Sequence, residues 1–235
     1  MIRQKLKANP GRKLHIEVNG KEYMRLPVKT HVIVANDDIV EVVKKYAKPH
    51  LQAGDILVVG ERVVAIAQGR SFPVEMVEPS LLARTLSKFV YKPSYGIGIG
   101  SPYTMELAIR EANPLRFGLA VLLSALTKPF GIRGVFYHVV GGNINAIDGP
   151  CNYTLPPYNR HAKLGPKDPQ KVIAQLEKIL GFPVVIADTN DVAARVLAVS
   201  KGVDKKLVEA AFGDNPMGQS REQTPLCILR PAKRV

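Results

Sequence analysis

The chain has 235 residues, 46% of them hydrophobic, and a formal net charge of +13; that apolar fraction supports a folded core and excludes a disordered or low-complexity chain. The charge invites a nucleic-acid partner, but basic residues cluster only at the beginning (Arg3, Lys5, Lys7, Arg12, Lys13) and the end (Arg230, Lys233, Arg234). Aromatics are 6% with no Trp to make stacking platforms, so the charge reads as attraction for small anions, phosphates among them, or as solubility.

In chain order, residues 14–18 and 21–24 alternate around Asn19-Gly20, a strong hairpin signal. Asn36 stands as an N-cap before Asp37, Asp38 and the helical pattern Ile39, Val42, Val43, Tyr46, with Pro49 beyond its end. A turn shaped by Asp55 feeds a buried strand over 56–60. Residues 63–67 read as a second strand ended by Gln68-Gly69-Arg70, and 79–89 as a helix. The passage Tyr95-Gly96-Ile97-Gly98-Ile99-Gly100 then leads into a helix with Ser101 as N-cap and Pro102 at its first position. Such a loop suits a phosphate cradle or simply positive φ, and its spacing fits neither G-x-G-x-x-G nor the Walker pattern.

Residues 115–126 form an almost wholly apolar helix, expected to be buried, with a dimer interface as one place for it. The run 117–126 is too short to span a bilayer, and the polar, basic start has no hydrophobic signal region, so a cytoplasmic protein without a membrane partner is expected. Val135–Val140 reads as a strand, with His138 a satisfied core or sheet-surface histidine. Residues 144–147 read as a strand closed by Asp148 before a Gly149-Pro150 turn, and 156–168 as a loop. A helix from Pro169 leads through Gly181 to a strand at 184–186, buried on both faces. A helix over 203–212, a long polar loop over 213–225 and a final strand at 226–229 complete the chain. Loops of that length are functional or disordered.

The strand at 184–186 ends in Asp188-Thr189-Asn190-Asp191, four oxygen-bearing side chains where open sheets bind ligands. With Asp148 as a second strand-end carboxylate, one Mg²⁺ or Mn²⁺ could be held; the alternative is that both aspartates only form turns or cap helices. The two cysteines, Cys151 and Cys227, form no disulfide framework or zinc spacing and are expected as reduced thiols. A nucleophilic role for Cys151 would need His161 to fold back as its base.

The order of segments resembles the coenzyme F-420 gamma-glutamyl ligase family. The resemblance is carried by Leu26-Pro27-Val28, Gly54-Asp55-Ile56-Leu57-Val58-Val59, Gln68-Gly69-Arg70, Ile147-Asp148 with Asn152, and Ile186-Ala187-Asp188-Thr189-Asn190. It implies one mixed α/β (α+β) gamma-glutamyl-ligase-like domain over 1–235 with mixed sheets, a helical insert at 91–133, and an intertwined homodimer. It further implies GTP and Mg²⁺ or Mn²⁺ as cofactors, with Asp148 and Asp188 catalytic and, with Thr189, holding the metal. Leu26, Pro27, Val28, Lys29, Asn152, Gly213, Asp214, Asn215, Gly218 and Gln219 would lie near the nucleotide.

Where the family has a Ser/Thr pair and then Lys, this chain has Glu61, Arg62 and Ile66, and its Asp-Thr-x-Gly-Arg becomes Asp188-Thr189-Asn190-Asp191-Val192, leaving Arg195 as a substitute. The resemblance implies nucleotide-driven amide formation, a glutamyl group joined to a phosphorylated acceptor through an acyl phosphate. The alternative is a non-catalytic metabolite-binding homologue that has lost the GTP site. A third reading, nucleic-acid binding through the basic termini, rests on charge alone.

Overall fold

The computed structural model describes residues 5–90, 97–132 and 134–232. Arg3, Lys233, Arg234, the start of the glycine passage at Tyr95 and Gly96, and Arg133 lie outside them. The elements in order are β1 (His15–Val18), β2 (Lys21–Val28), α1 (Ile39–Tyr46), β3 (Ile56–Gly60), α2 (Glu61–Ala67), β4 (Ser71–Pro73), α3 (Leu81–Leu86) and α4 (Pro102–Glu111). Then follow α5 (Pro114–Thr127), α6 (Val135–Val140), β5 (His161–Lys163), α7 (Pro169–Leu180), β6 (Val184–Thr189), β7 (Ala194–Val199), α8 (Lys205–Ala211) and β8 (Leu226–Pro231). The fold is mixed α/β, and it divides into two compact units, Met1–Gly69 with Asp168–Val235, and Arg70–Lys167.

The first unit is built on a six-stranded sheet of order β1-β2-β8-β3-β6-β7, in which only β3 and β6 run parallel. Asn19 and Gly20 take φ of 53° and 71°, the left-handed pair that a two-residue hairpin turn requires, so β1 folds onto β2 as the sequence predicts. Side chains alternate along each strand. Val58, Val185, Ala187, Cys227 and Leu229 face a core completed by Val208, Ala211 and Phe212 around α8. Leu57, Val59, Val184 and Ile186, all fully buried, take the opposite face, where α1 and α7 contribute Val43, Ile173 and Leu176. Burial of each such side chain contributes roughly 1.5–3 kcal/mol, so the two-sided cover is what fixes β3 and β6 as the rigid centre of the unit. At the opposite end of β3, the buried Asp55 accepts from Arg230 Nε and Nη2 at 2.8 and 2.7 Å and from Gln52 N.

The second unit packs α3 to α6 around Met105, Leu107, Phe117, Ile144 and Ile147, with β4 and β5 as a two-stranded ribbon. The helical segment expected at 91–133 falls in this unit. Ser101 accepts from Thr104 N and the Thr104 hydroxyl accepts from Ser101 N, a reciprocal cap at the start of α4.

Several local expectations are corrected. Residues 63–67 are helical, not a strand: the short apolar run suits either state, and as α2 it buries Val64, Ala65 and Ile66 directly after β3. Val135–Val140 is also helical. Phe136 packs edge-on against Phe117 of α5 with ring centres 5.4 Å apart, a tertiary contact that overrides the β-branched composition and leaves His138 exposed. Residues 144–147 hold a single 3-10 turn, Ile144–Ala146, squeezed between Gly142 with φ of 62° and the Gly149-Pro150 corner. Asp148 therefore does not end a strand. Helix α5 forms as expected but is not buried: Leu115, Leu119, Leu122 and Leu126 are exposed. Asp38, rather than Asn36, caps α1 by accepting from Val40 N at 2.8 Å, while Asp37 accepts from Val34 N. Part of the expected loop at 156–168 is β5.

Candidate functional site

The register of the first unit gathers several chain segments at one end of its sheet. Gly60 ends β3 opposite Ala187 of the parallel β6, and Val28 ends β2 opposite Leu226, where β8 begins. This is the carboxyl end of the parallel pair, where open sheets present ligand-binding loops. The buried apolar strands cannot extend past it, and polar side chains begin at Lys29, Asp188 and Thr189.

The loop over 213–225 is folded across that end rather than disordered. Gly60 N donates to Pro225 O at 2.8 Å and Thr30 N to Gln223 O at 2.9 Å. Within the loop, Thr224 Oγ1 donates to Met217 O, Gly218 N to Asn215 O, and Ser220 N to Glu222 Oε2. Gly218 has φ of 76°, and a Cβ there would lie 2.6 Å from the Glu222 side chain, so any other residue would be strained and would displace Glu222. The loop also reaches the end of β6: Gln219 Oε1 accepts from Asp191 N at 3.0 Å, and Asn215 Nδ2 donates to Asp191 Oδ1 at 3.3 Å. Asn215 is fully buried, and its Oδ1 has no hydrogen-bond partner among the described residues.

A buried guanidinium organises the loop's first residues. Arg25, wholly buried in β2, donates to both carboxylate oxygens of Asp214, to Ala211 O and to Lys13 O. Burial opposes the charged form of Asp214, but hydrogen bonds from Arg25 and its charge outweigh that and hold the carboxyl below the usual carboxylate range. The segment before β1 is tied to the same loop. Asn9 Nδ2 donates to Pro216 O and Thr224 Oγ1, and Arg12 donates to Asp214 O at 2.7 Å and pairs with Asp191 Oδ1 at 2.5 Å.

Between these pieces lies a cavity of about 380 Å³ whose lining includes Lys5, Lys7, Pro27, Lys29, Arg221 and Thr224, with Glu222 its one carboxylate. Among the described residues four cations and one carboxylate line the cavity, a net positive charge that favours anions. Of the residues expected near a nucleotide, Pro27 and Lys29 line the cavity, whereas Leu26 and Val28 are buried in the sheet. Gly213, Asp214, Asn215, Gly218 and Gln219 all belong to the neighbouring loop, with Asp214 committed to Arg25.

At the end of β6, Asn190 Oδ1 accepts from Val192 N and Ala193 N, and Asp191 is engaged by Arg12 and Asn215. Asp188 and Thr189 are thus what this strand end offers a hard cation. Arg195 stands directly across from Asp188 in the β6–β7 register, on the same face of the sheet. Asp148 and Asn152 belong to the second unit. There Asp148 exchanges backbone hydrogen bonds with Lys163, its Oδ1 accepts from Gly149 N, and Asn152 is exposed in a turn. Among the described residues, no group of three or more His, Cys, Asp or Glu side chains is gathered to hold a metal ion. Both cysteines are free thiols and buried.

Sequence reasoning missed four contributors. Lys5 and Lys7 were visible only as a basic beginning, Arg221 only as one residue of a polar loop, and the Arg25–Asp214 pair not at all, because nothing in linear order relates residues so far apart.

The model of the F420-0:Gamma-glutamyl ligase family matches residues 27–229. A Coenzyme F420:L-glutamate ligase from Methanopyrus kandleri is 26% identical over 231 residues, covering 84% of this chain and 82% of that protein. The matched span contains Pro27, Lys29, the end of β6 and the whole 213–225 loop, and with most of the sequence inside it the chain belongs to the F420-0:Gamma-glutamyl ligase family.

Proposed function

We propose that this chain is a nucleotide-driven ligase that joins the amine of glutamate to a carboxylate on a phosphorylated acceptor. The observation that carries this reading is the cationic cavity beside the end of β2, bounded by Pro27, Lys29 and residues 221–224 of the loop, all within the family-matched span. Amide formation from a carboxylate needs activation. In this reading the acceptor carboxylate takes the γ-phosphoryl group of GTP, releasing GDP; the glutamate amine then displaces phosphate from the acyl phosphate and forms the C–N bond. Lys29 and Arg221 hold phosphate oxygens, and positioning supplies much of the rate. A divalent cation, Mg²⁺ or Mn²⁺, would neutralise nucleotide charge when bound, with Asp188 and Thr189 as its ligands from β6. Asp148 enters this reading on the resemblance alone, and so do a homodimer and a cytoplasmic setting.

The test is direct: coenzyme F420-0, glutamate, GTP and Mn²⁺ are incubated with the protein and the products weighed by mass spectrometry. A mass gain of one glutamyl group, dependent on nucleotide, supports the reading; unchanged acceptor with every nucleotide and metal refutes the ligase.

A second reading has its own observation. Glu61, Arg62 and Ile66 replace the family's hydroxyl pair and lysine, and they stand on α2, immediately after Gly60 at the same end of the sheet, with Glu61 and Ile66 buried. A chain that kept the anion cavity but lost those groups would bind a metabolite without turning it over. Retention of a tight small anion through purification, with no amide product, would favour it.

A further inference from the structure

We propose that residues 5–13 form a basic strap completing the anion site, with Lys5 and Lys7 as phosphate-binding residues for a multiply phosphorylated small molecule. This deepens the ligase reading and rests on it for the identity of the ligand.

The strap lies outside the residues matched by the family model, which begin at 27. Its far end is fastened. Arg12 N donates to Asn9 O to close a turn in which Gly11 takes φ of 72°; Asn9 and Arg12 grip the 213–225 loop, and Lys13 O accepts from Arg25. The Asn9 anchor is specific: its amide bonds Pro216 O at 2.9 Å and Thr224 Oγ1 at 2.8 Å, and that hydroxyl is itself oriented by donating to Met217 O at 2.6 Å. With residue 9 fixed, the chain before it runs over the cavity, and both Lys5 and Lys7 line it with Lys29 and Arg221.

The four cations lining this cavity face a single carboxylate among the described residues, so most of their charge is uncompensated from within. Its one carboxylate, Glu222, accepts from Ser220 N at 2.8 Å and so is turned toward its own loop. Like charges within a Debye length of about 8 Å repel one another, and an anion with several negative charges along a short chain relieves all four at once. A singly charged carboxylate would not. The strap therefore selects a polyphosphate. Lysine suits the task, since it binds phosphate as a point charge on a flexible stem.

The experiment titrates the full chain with inorganic tripolyphosphate by calorimetry at low and at moderate salt, beside the Lys5→Gln/Lys7→Gln variant. A control variant, Lys21→Gln/Lys178→Gln, removes the same charge from exposed positions away from the cavity. The strap variant is expected to bind about tenfold more weakly, with a shallower salt dependence and an unchanged melting temperature, while the control keeps full affinity. Asn9→Ala, which leaves every charge in place but frees the strap, should also weaken binding. Full affinity in the strap variant, or an equal loss in the control, overturns the strap. If the strap variant keeps full affinity and still makes amide, the strap falls and the ligase reading stands. If the unaltered chain binds neither tripolyphosphate nor GTP, both fall together.

Discussion

Asp214→Asn isolates the device that holds the 213–225 loop. Arg25 has no exposed surface, and its guanidinium is shared between the Asp214 carboxylate and the carbonyls of Ala211 and Lys13. The substitution keeps the shape and one acceptor but leaves a buried cation without its counter-charge. Breaking a fully buried pair costs about 3–5 kcal/mol. Asp214 is 45% exposed, so water screens part of the pair, and Arg25 keeps both carbonyl partners; a cost of about 2 kcal/mol follows. For a chain of this size that is roughly 4–8 °C in melting temperature. Calorimetry at neutral pH reads the shift, and amide exchange locates it: protection should fall first across 213–225.

The pH dependence has a definite sign. Because the folded Asp214 carboxyl lies below its ordinary value of 3.8, the pair's contribution is complete above that value and is lost as pH falls through the lower folded pKa. The gap between parent and variant should be constant from neutral pH down to about pH 5 and close in stronger acid. An unchanged melting temperature at pH 7, or a gap that widens on acidification, refutes the reasoning.

Other consequences follow from single residues. Asp188→Asn should weaken Mn²⁺ binding on the order of tenfold or more, read by calorimetry in the presence of GTP, because an amide lacks the charge that attracts the cation; Asp148→Asn carries the same expectation from the resemblance. Gly218→Ala should cost about 1–2 kcal/mol, since φ of 76° is strained for alanine and the new Cβ displaces Glu222 from Ser220 N; faster exchange at the Ser220 amide reports it. Cys227 should resist thiol reagents in the native protein and react only on unfolding. Burial raises its thiol pKa far above the ordinary value of 9.0 despite the nearby Arg25 charge, leaving almost no thiolate.

The sequence displayed those parts of the fold whose cause is local. Asn19-Gly20 is a turn because both residues tolerate left-handed backbone, and residues 184–186 form a strand because their β-branched side chains suit cover on both faces. Ser101 caps α4 by a short-range bond. Misreadings fell where short apolar runs have no period of their own. Residues 63–67 and Val135–Val140 become helices only because of what they pack against, and β7 went unread because Arg195 and two alanines dilute its pattern. The site was legible only in part. The 213–225 loop stands out by its length and polarity, and Pro27 and Lys29 enter through the family resemblance, whereas the part played by Arg25 depends on its pairing with Asp214, 189 residues along the sequence.

The most direct trial of the account is a calorimetric titration of the full chain with GTP, with and without Mn²⁺. Saturable binding at a single site, tighter with the cation and weakened by salt, is the predicted result. Absence of binding by GTP and ATP alike, with or without metal, would contradict the claim that this end of the sheet receives a nucleotide.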